Sequence, residues 1–368
     1  MADVDKWIVP WIMPAVQYKV DSVELAWQHP NHARMFLNEN PIPPSEKVLK
    51  AIEEMARYGN RYPHRWVELR RKLAEPFGLG PENVFLGNGS SEVIDNMVRV
   101  FCQPGDEVII PDPTFSLFYA RIEVNGAKDI RIPIREDDYQ IDIDGMINAV
   151  TDRTKLMIVV NPNNPTGLFV DDKDLRRLLD LGIPTCIDEA YLEYDPTRGS
   201  KVPLIKEYPH AFVMKTFSKA YGLAGLRFGY MFGVPELVEA FDRIKLPWNV
   251  SILTLAAAEA ALEDQEALSK KVEHNNKWMA IFTEEFRKLG LKPFPAHGNY
   301  MLVDANDFGY TSQEIVDMAF ERGVILKKIG PIHGKNGFFR VTPGTDEECK
   351  RMLEVVKEIF SKPKEARA

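Results

Sequence analysis

The sequence predicts an α/β fold in which a large domain with a mostly parallel sheet is joined to a smaller α+β domain. Two observations support this prediction. Up to about residue 245, short runs rich in valine and isoleucine alternate with amphipathic helical segments, which is typical of a buried parallel sheet covered by helices. After Pro247 the pattern changes to long helices followed by three strand-like runs, which indicates the second domain.

The predicted elements follow in chain order. The first 44 residues contain six prolines and little periodicity, so we expect an extended arm there. Helices are predicted from Ser45 and over 64–75. In the alternating part, strands are predicted in EVIIPDP, TKLMIVV, IPTCIDEAY and HAFVMKTFSK. Helices are predicted between them, from Ser116 and near 171–181. Beyond it we expect helices at about 251–263 and 265–289, strands in NYMLVDA, GVILKK and FFRVTP, helices at about 312–321 and 345–361, and a frayed tail, KPKEARA.

The composition is that of a globular protein with a sizeable core. Of the 368 residues, 45% are hydrophobic and 27% are charged, far from the composition of disordered chains. At roughly 100 to 200 residues per domain, the length suggests two domains and excludes a single small binding module. The net charge of -8 and the lack of a basic block argue against nucleic acid as a partner.

Cysteine usage and the N-terminus bear on location. The three cysteines, Cys102, Cys186 and Cys349, show no CxxC or Cys/His spacing, so we expect neither a metal site nor a disulfide framework. The acidic Asp5 and the helix-breaking Pro10 do not suit a signal peptide, and no window approaches the ~18 apolar residues of a membrane span. These observations predict a cytoplasmic protein without a membrane partner.

The most informative segment is KTFSKAYGLAGLRFGYMFG, residues 215–233, which begins in an apolar strand. The hydroxyls of Thr216 and Ser218 precede Lys219, and Arg227 follows after glycines that relax the backbone. Hydroxyls, free amide donors and an arginine around a lysine suit a phosphate group next to an amine-reactive carbonyl. A solvated surface lysine, the usual state of a lone lysine, would not explain why these residue types cluster after a strand.

The string SKAYGLAGLRFGY within this segment resembles the Schiff-base lysine motif of fold-type I pyridoxal phosphate (PLP) enzymes. It is similar to the motif of the class I and II aminotransferase family, and close to the histidinol-phosphate aminotransferase version. The resemblance covers about 36–360. It implies a large PLP-binding domain with a mostly parallel seven-stranded sheet at 45–245, and a small domain formed by 1–44 together with 246–368.

The same resemblance implies roles for the residues of the motif. Lys219 would hold PLP as a Schiff base and act as the catalytic lysine. Thr216, Ser218 and Arg227 would bind the phosphate of the cofactor.

The segment TCIDEAYLEY places Asp188 at the end of an apolar strand, where an unpaired carboxylate is costly and needs a cation or several donors. A protonated pyridine nitrogen is such a cation, and the pairing lets the ring act as an electron sink. In the family that the motif resembles, Asp188 matches this pyridinium partner and Tyr191 matches the phenol that bonds the ring's 3-hydroxyl. A helix N-cap is the simpler explanation of a lone aspartate, but Lys219 follows 31 residues later. We therefore expect the cofactor role.

Two turns resemble further parts of the cofactor site. NPNNPTG, residues 161–167, is by itself an ordinary turn, but it matches the family turn in which Asn164 would bond the 3-hydroxyl. LGNGSSEVIDNMV opens a helix whose first free amides belong to Gly89, Ser90 and Ser91, and helix N-termini bind phosphate. The resemblance puts this loop under the cofactor phosphate, although histidinol-phosphate enzymes usually have an aspartate in place of Ser91.

Two aromatic residues complete the expected cofactor contacts. Phe115 in PDPTFSLFY would by default pack in the core, but it matches a ring that stacks on the pyridine face. Tyr62 in GNRYPHR resembles a tyrosine that reaches the cofactor phosphate of the neighbouring subunit. The resemblance therefore implies a homodimer with shared active sites.

The expected substrate contacts are Asn38, Asn164, Lys327 and Arg340. The guanidinium of Arg340 suits bidentate capture of an α-carboxylate, and the resemblance implies that role. Lys327, thirteen residues earlier, stands where histidinol-phosphate enzymes usually present an arginine to the substrate phosphate. Because lysine and arginine are not interchangeable at a bidentate oxyanion site, phosphate specificity stays open. Asn38 lies in LNENP, which resembles an arm segment that closes over the substrate.

These motifs predict a PLP-dependent aminotransferase of the histidinol-phosphate type, which moves an amino group between an amino acid or amino-alcohol phosphate and a 2-oxo acid such as 2-oxoglutarate. The expected donor is histidinol-phosphate-like, or aromatic or anionic. A PLP-dependent decarboxylase of an O-phospho amino acid is the alternative, because KLPWNVS resembles a segment shared with threonine-phosphate decarboxylases. A PLP-binding regulator without catalysis is a second alternative, because fold does not imply function. A nicotinamide oxidoreductase is disfavoured, because no G-x-G-x-x-G follows an early strand.

Overall fold

The computed structural model describes residues 5–361. The helices in this range are α1 (Asp21–Gln28), α2 (Glu46–Ala56), α3 (Trp66–Ala74), α4 (Ser90–Phe101), α5 (Leu117–Val124), α6 (Ile143–Asn148), α7 (Asp172–Leu179), α8 (Pro235–Ile244), α9 (Ile252–Glu263), α10 (Gln265–Lys288), α11 (Ser312–Glu321) and α12 (Asp346–Phe360). The strands are β1 (Ala33–Arg34), β2 (Val84–Asn88), β3 (Glu107–Asp112), β4 (Lys128–Pro133), β5 (Thr154–Val160), β6 (Thr185–Asp188), β7 (Ala211–Thr216), β8 (Phe228–Phe232), β9 (Lys292–Pro293), β10 (Met301–Asp304), β11 (Val324–Ile325), β12 (Lys327–Lys328) and β13 (Phe338–Val341).

The large sheet has seven strands in the order β2-β8-β7-β6-β5-β3-β4. Only β8 runs against its neighbours, β2 and β7, while the remaining pairs are parallel. The prediction of a mostly parallel seven-stranded sheet is therefore confirmed. The pairing aligns Val160 with Asp188 and Asp188 with Met214, so the carboxyl ends of β5, β6 and β7 meet at one edge. In open α/β sheets this edge is where ligands bind.

Both faces of the large sheet are buried, which explains the near-continuous apolar runs of its strands. Successive side chains of a strand point to opposite faces. Ile187 and Val213 accordingly pack in one apolar layer, while Cys186 and Met214 pack in the other. The second layer also contains Val160, so it underlies the edge described above.

The C-terminal part of the chain forms a four-stranded antiparallel sheet in the order β12-β13-β10-β9. Helices α10, α11 and α12 pack with it around a separate apolar core. The arm is joined to this part because β1 pairs in parallel with β11, Ala33 opposite Val324. The division into 45–245 and the two terminal segments stays a prediction.

Two local predictions were wrong. The first 44 residues were expected to be extended, but α1 forms within them, because Pro14 and Pro30 leave a proline-free stretch whose first helical turn carries acidic side chains that suit the helix dipole. GVILKK was expected to be one strand, but it divides into β11 and β12, which belong to different sheets. The predicted frayed tail, 362–368, lies outside the described residues. Within 5–361, no helix is both long and apolar enough to cross a membrane.

Candidate active site

A cavity of about 230 Å³ opens at the carboxyl ends of β5, β6 and β7, and we call it the strand-end cavity. Asp188 ends β6 and Thr216 ends β7, so parallel pairing brings two short sequence motifs together. Most of the predicted cofactor residues line it: Ser90, Ser91, Phe115, Asp188, Tyr191, Thr216, Ser218, Lys219 and Arg227.

One wall of the strand-end cavity is an anion-binding corner at the start of α4. Gly89 caps this helix with a φ of +72°, and a Cβ there would lie 2.3 Å from Arg227 Nη2. Arg227 Nη2 donates to Ser91 Oγ at 3.2 Å, and the hydroxyls of Thr216 and Ser218 are hydrogen-bonded to each other at 3.0 Å. Amide N–H groups, hydroxyls and a guanidinium thus face one small volume, which is the donor set that a phosphate requires.

A buried acid, Asp188, also lines the strand-end cavity. Asp188 is 3% exposed and accepts a hydrogen bond from Ala190 N at 3.0 Å. Burial raises its pKa from 3.8 to about 7, because the charged form loses its hydration. A cationic ligand group placed against this carboxyl would restore its charge, and the carboxyl would in return hold a proton on that group.

Lys219 lines the same cavity. Its Nζ donates to Leu37 O at 3.4 Å and lies 5.7 Å from the centre of the Tyr191 ring. Burial, together with the positive charge of Arg340, lowers the pKa of Lys219 from 10.5 to about 8. A substantial fraction of the amine is therefore neutral near pH 8, and the neutral amine is the form that attacks carbonyls and accepts protons.

The Tyr191 hydroxyl is the centre of a hydrogen-bond network that joins three segments. Asn38 Nδ2 donates to Tyr191 Oη at 2.9 Å, and Asn164 Nδ2 donates to it at 3.4 Å. Arg340 Nη1 in turn donates to Asn164 Oδ1 at 2.6 Å. Burial raises the pKa of Tyr191 to about 12, so the phenol stays protonated and can donate a hydrogen bond to a ligand.

A second cavity of about 290 Å³ adjoins the first, and we call it the arm cavity. It is lined by Asn38, Asn164, Lys327 and Arg340, and it shares Lys219, Tyr191, Phe115 and Tyr18 with the strand-end cavity.

Two cations face the arm cavity from neighbouring strands. Lys327 on β12 is directly opposite Arg340 on β13 in the antiparallel register. Arg340 donates from Nη2 to Phe36 O at 2.9 Å, while its buried Nε has no hydrogen-bond partner within 5–361. Burial and the charge of Arg340 lower the pKa of Lys327. Among the residues that the structure describes, neither cation forms an ion pair with a carboxylate and Arg340 has an unused donor, so the two form a site suited to an anionic ligand group.

The structure separates one predicted residue from the rest. Tyr62 is 71% exposed and stacks on Trp248 with ring centres 4.1 Å apart, and it lines neither cavity. Conversely, Tyr18 lines both cavities but was not predicted. It stands in a proline-rich arm without periodicity, so no local pattern distinguished it. Within 5–361, no group of three or more histidine, cysteine, aspartate or glutamate side chains could hold a metal ion.

Comparison with known proteins adds to this geometry. Residues 35–356 match the family described as aminotransferase class I and II. The chain is 38% identical over 342 residues to histidinol-phosphate aminotransferase 1 of Idiomarina loihiensis, covering 91% of each chain. It is 35% identical over 333 residues to histidinol-phosphate aminotransferase of Moorella thermoacetica, covering 88% of this chain and 84% of the relative. The crystal structure of histidinol-phosphate aminotransferase from Sinorhizobium meliloti in complex with pyridoxal-5'-phosphate superposes with a TM-score of 0.85 at 26% identity, covering 96% of this chain and 97% of the other.

Proposed function

The chain belongs to the class I and II aminotransferase family, and from this premise we propose that it is a PLP-dependent aminotransferase of the histidinol-phosphate type. It would transfer an amino group from a donor with an anionic group to a 2-oxo acid. One observation carries the proposal: the buried acid Asp188, the amine of Lys219 with its lowered pKa and the anion-binding corner around Arg227 all face one cavity.

The side chains present fit PLP by their chemistry. The corner formed by Gly89, Ser91 and Arg227 supplies donors for a phosphate. The carboxyl of Asp188, buried with a raised pKa, calls for a cation such as a protonated ring nitrogen. Phe115 lines the same cavity and provides a ring face for an aromatic ligand.

When bound, PLP supplies a carbonyl that condenses with amines and a ring that withdraws electrons from the substrate carbon. Asp188 would hold the proton on the ring nitrogen and so keep that withdrawal strong. Lys219 Nζ would be the base that removes the proton from the substrate α-carbon and the acid that returns it. Tyr191 and Asn164, which are hydrogen-bonded to each other, would hold and orient the ring oxygen.

The arm cavity defines the proposed donor class. Arg340 offers a guanidinium with an unused Nε, and Lys327 offers a point charge opposite it. A carboxylate or phosphate on the donor would lie between them and offset the two positive charges, which burial otherwise disfavours. Asn38 contributes from the arm side and closes the network over Tyr191.

The test presents the PLP-loaded protein with single amino donors and no acceptor. We expect about one equivalent of oxo product per active site from histidinol phosphate, measured by mass spectrometry, with the amino form of the cofactor left in the protein. Adding 2-oxoglutarate should restore the starting spectrum. Release of carbon dioxide without oxo product would contradict the proposal in favour of decarboxylation, and an unchanged spectrum with every donor would contradict any transamination.

We further propose a homodimer in which Tyr62 reaches the cofactor phosphate of the neighbouring subunit. The exposed stack of Tyr62 on Trp248 supports this, because two large aromatic rings on the surface favour a protein contact. Mixing the inactive variants Lys219→Ala and Tyr62→Ala should restore part of the activity, because one site of each mixed dimer would be intact. A fully active monomer in sedimentation experiments would contradict the shared site.

A further inference from the structure

A buried ion-pair cluster lies on the far side of the large sheet from the strand-end cavity. Lys215 of β7 has a side chain that is 7% exposed, and its Nζ lies 3.4 Å from Glu189 Oε2 and 3.0 Å from Glu193 Oε1. The side chains of Glu189 and Glu193 are 1% and 14% exposed. We call Lys215, Glu189 and Glu193 the rear triad.

The alternation of side chains along a strand places the triad behind the cavity residues. Thr216 shares the face of Met214 and lines the cavity, so the preceding residue, Lys215, points to the opposite face with Val213. Glu189 directly follows the cavity residue Asp188 and bonds to Lys215. On both strands, the charged residue is the direct neighbour of a cavity residue and therefore points to the opposite face of the sheet.

Each member of the rear triad is covalently close to a cavity residue. Glu189 adjoins Asp188, and Glu193 stands two residues after Tyr191 in the turn that follows β6. Lys215 adjoins Thr216 and leads into the loop that carries Lys219. A single ammonium thus ties together the backbone segments that supply the acid, the phenol and the amine of the site.

The partners of the two carboxylates are unequal. Glu189 also accepts a hydrogen bond from Ser200 Oγ at 2.6 Å and another from Lys201 N. Glu193 Oε2 is buried and has no hydrogen-bond partner in the described part of the chain, so Lys215 is the principal countercharge of this carboxylate. Such a cluster adds little net stability compared with apolar packing, but loss of one member leaves a buried charge unpaired. It is therefore better explained by what it positions than by what it stabilises.

We propose that the rear triad is a positioning network, in which Lys215 holds the ends of β6 and β7 and the Tyr191 turn in the register that aims Asp188, Tyr191 and Lys219 at the cofactor. The inference rests on the proposed function, because PLP is the group against which these side chains are aimed. Catalytic groups must be held within about 0.5 Å of the productive geometry, and supporting contacts supply that restraint.

The experiment removes the Lys215–Glu193 ion pair while leaving the net charge of the triad at about -1. The single variant Lys215→Met would strand Glu193, and misfolding would then obscure the result. The double variant Lys215→Met/Glu193→Gln removes one charge of each sign and is similar in volume, while the hydrogen bonds from Ser200 and Lys201 N still hold the charge of Glu189. We expect it to fold, to bind PLP on the order of tenfold more weakly and to show a kcat lowered by about 10- to 100-fold, with the donor KM little changed. PLP affinity is measured by fluorescence titration, and the geometry of the bound chromophore by visible circular dichroism.

Two further variants separate positioning from general destabilisation. The single variant Lys215→Arg keeps the positive charge between both carboxylates. Its PLP affinity and kcat should therefore be near the wild-type values. As a matched control, Arg70→Met/Asp242→Asn removes an ion pair of 2.8 Å between α3 and α8, together with the 2.9 Å pair of Asp242 with Lys245, away from both cavities. This control should lower the melting temperature and leave PLP affinity and chromophore dichroism unchanged.

The outcomes distinguish this inference from the proposed function. Wild-type PLP affinity, kcat and dichroism in a folded Lys215→Met/Glu193→Gln variant would overturn the inference alone. Equal losses in this variant and in the Arg70→Met/Asp242→Asn control would also overturn it, because destabilisation would then be the cause. A wild-type protein that binds no PLP would overturn the proposed function and the inference with it.

Discussion

The two cavities that meet at Lys219 are built in different ways. The strand-end cavity is lined by residues at or just beyond the ends of neighbouring parallel strands, such as Asp188 and Thr216. The arm cavity instead combines Asn38 of the arm with Arg340 of the small antiparallel sheet. On the proposed function, the chemistry common to all donors would rest on the large sheet, whereas donor selection would rest on the arm and the small sheet. Strand-end variants should impair every donor alike, and arm-cavity variants should change the preference among donors.

The largest expected effect is that of Lys219→Ala. Removal of the amine eliminates both the attachment to the cofactor and the base that moves the α-proton, so kcat should fall on the order of 10⁴-fold for every donor. Steady-state assays with one anionic and one neutral donor measure the effect. A loss confined to one donor would contradict the comparison, and turnover equal to the wild type would exclude a lysine-dependent mechanism.

Asp188→Asn is expected to be next in size. The amide cannot hold the ring-nitrogen proton as an ion pair, so kcat should fall on the order of 100-fold for all donors, with the donor KM nearly unchanged. Absorption spectra taken during turnover show whether the loss lies in the proton-transfer step. A loss of kcat that differs between donors would show instead that Asp188 contributes to donor selection.

The Asp188→Asn variant also tests the raised pKa of Asp188, through the pH dependence of the melting temperature. In the cofactor-free protein the pKa of Asp188 is raised from 3.8 to about 7, so between these values the folded chain keeps a proton that the unfolded chain has lost. The stabilisation from this proton is complete below about pH 4 and is lost as the pH rises through about 7. Cofactor-free Asp188→Asn should therefore gain in melting temperature relative to wild type between pH 5 and 8. Melting temperatures of wild type and Asp188→Asn that change in the same way with pH would contradict the raised pKa of Asp188.

Arg340→Lys tests the arm cavity. The charge remains, but the planar fork that contacts Asn164 and Phe36 is lost. We expect kcat/KM to fall by about 100-fold for donors with an anionic group, mostly through KM, and much less for neutral donors. PLP affinity, measured by titration, should be unchanged. A comparable loss of PLP affinity would show that the two cavities are not separable.

The smallest expected effect is that of Lys327→Met. Loss of one partly buried point charge should lower kcat/KM about tenfold for a phosphate-bearing donor and leave a neutral donor unaffected. Lys327→Arg should raise the preference for the phosphate donor, because a guanidinium binds it through two N–H groups. The exposed Lys335 provides the control, and Lys335→Met should change neither donor. Equal changes in kcat/KM for both donors in Lys327→Met would show that Lys327 does not contribute to donor selection.

The sequence was most informative where function and local structure coincide. Asp188 and Lys219 could be found because a polar residue at the end of an apolar run, or a lysine among glycines and hydroxyls, is unusual within a few residues of chain. Tyr18 could not be found this way, since its neighbours in the arm carry no pattern. The same holds for the rear triad: Lys215 is conspicuous inside an apolar strand, but its partners come from another strand and from a turn.

The sequence by itself determined the alternation of strands and helices, because periodicity depends on contacts within a few residues and so reveals them. It also predicted the cofactor motifs and the two cationic residues of the small sheet, through local residue types together with the family resemblance. Only the tertiary structure decided that β1 pairs with β11, that Lys327 stands opposite Arg340, and that Asn38 bonds the Tyr191 hydroxyl. Such pairs lie far apart in the chain, and it is the folding of distant segments onto one another that selects which of them meet.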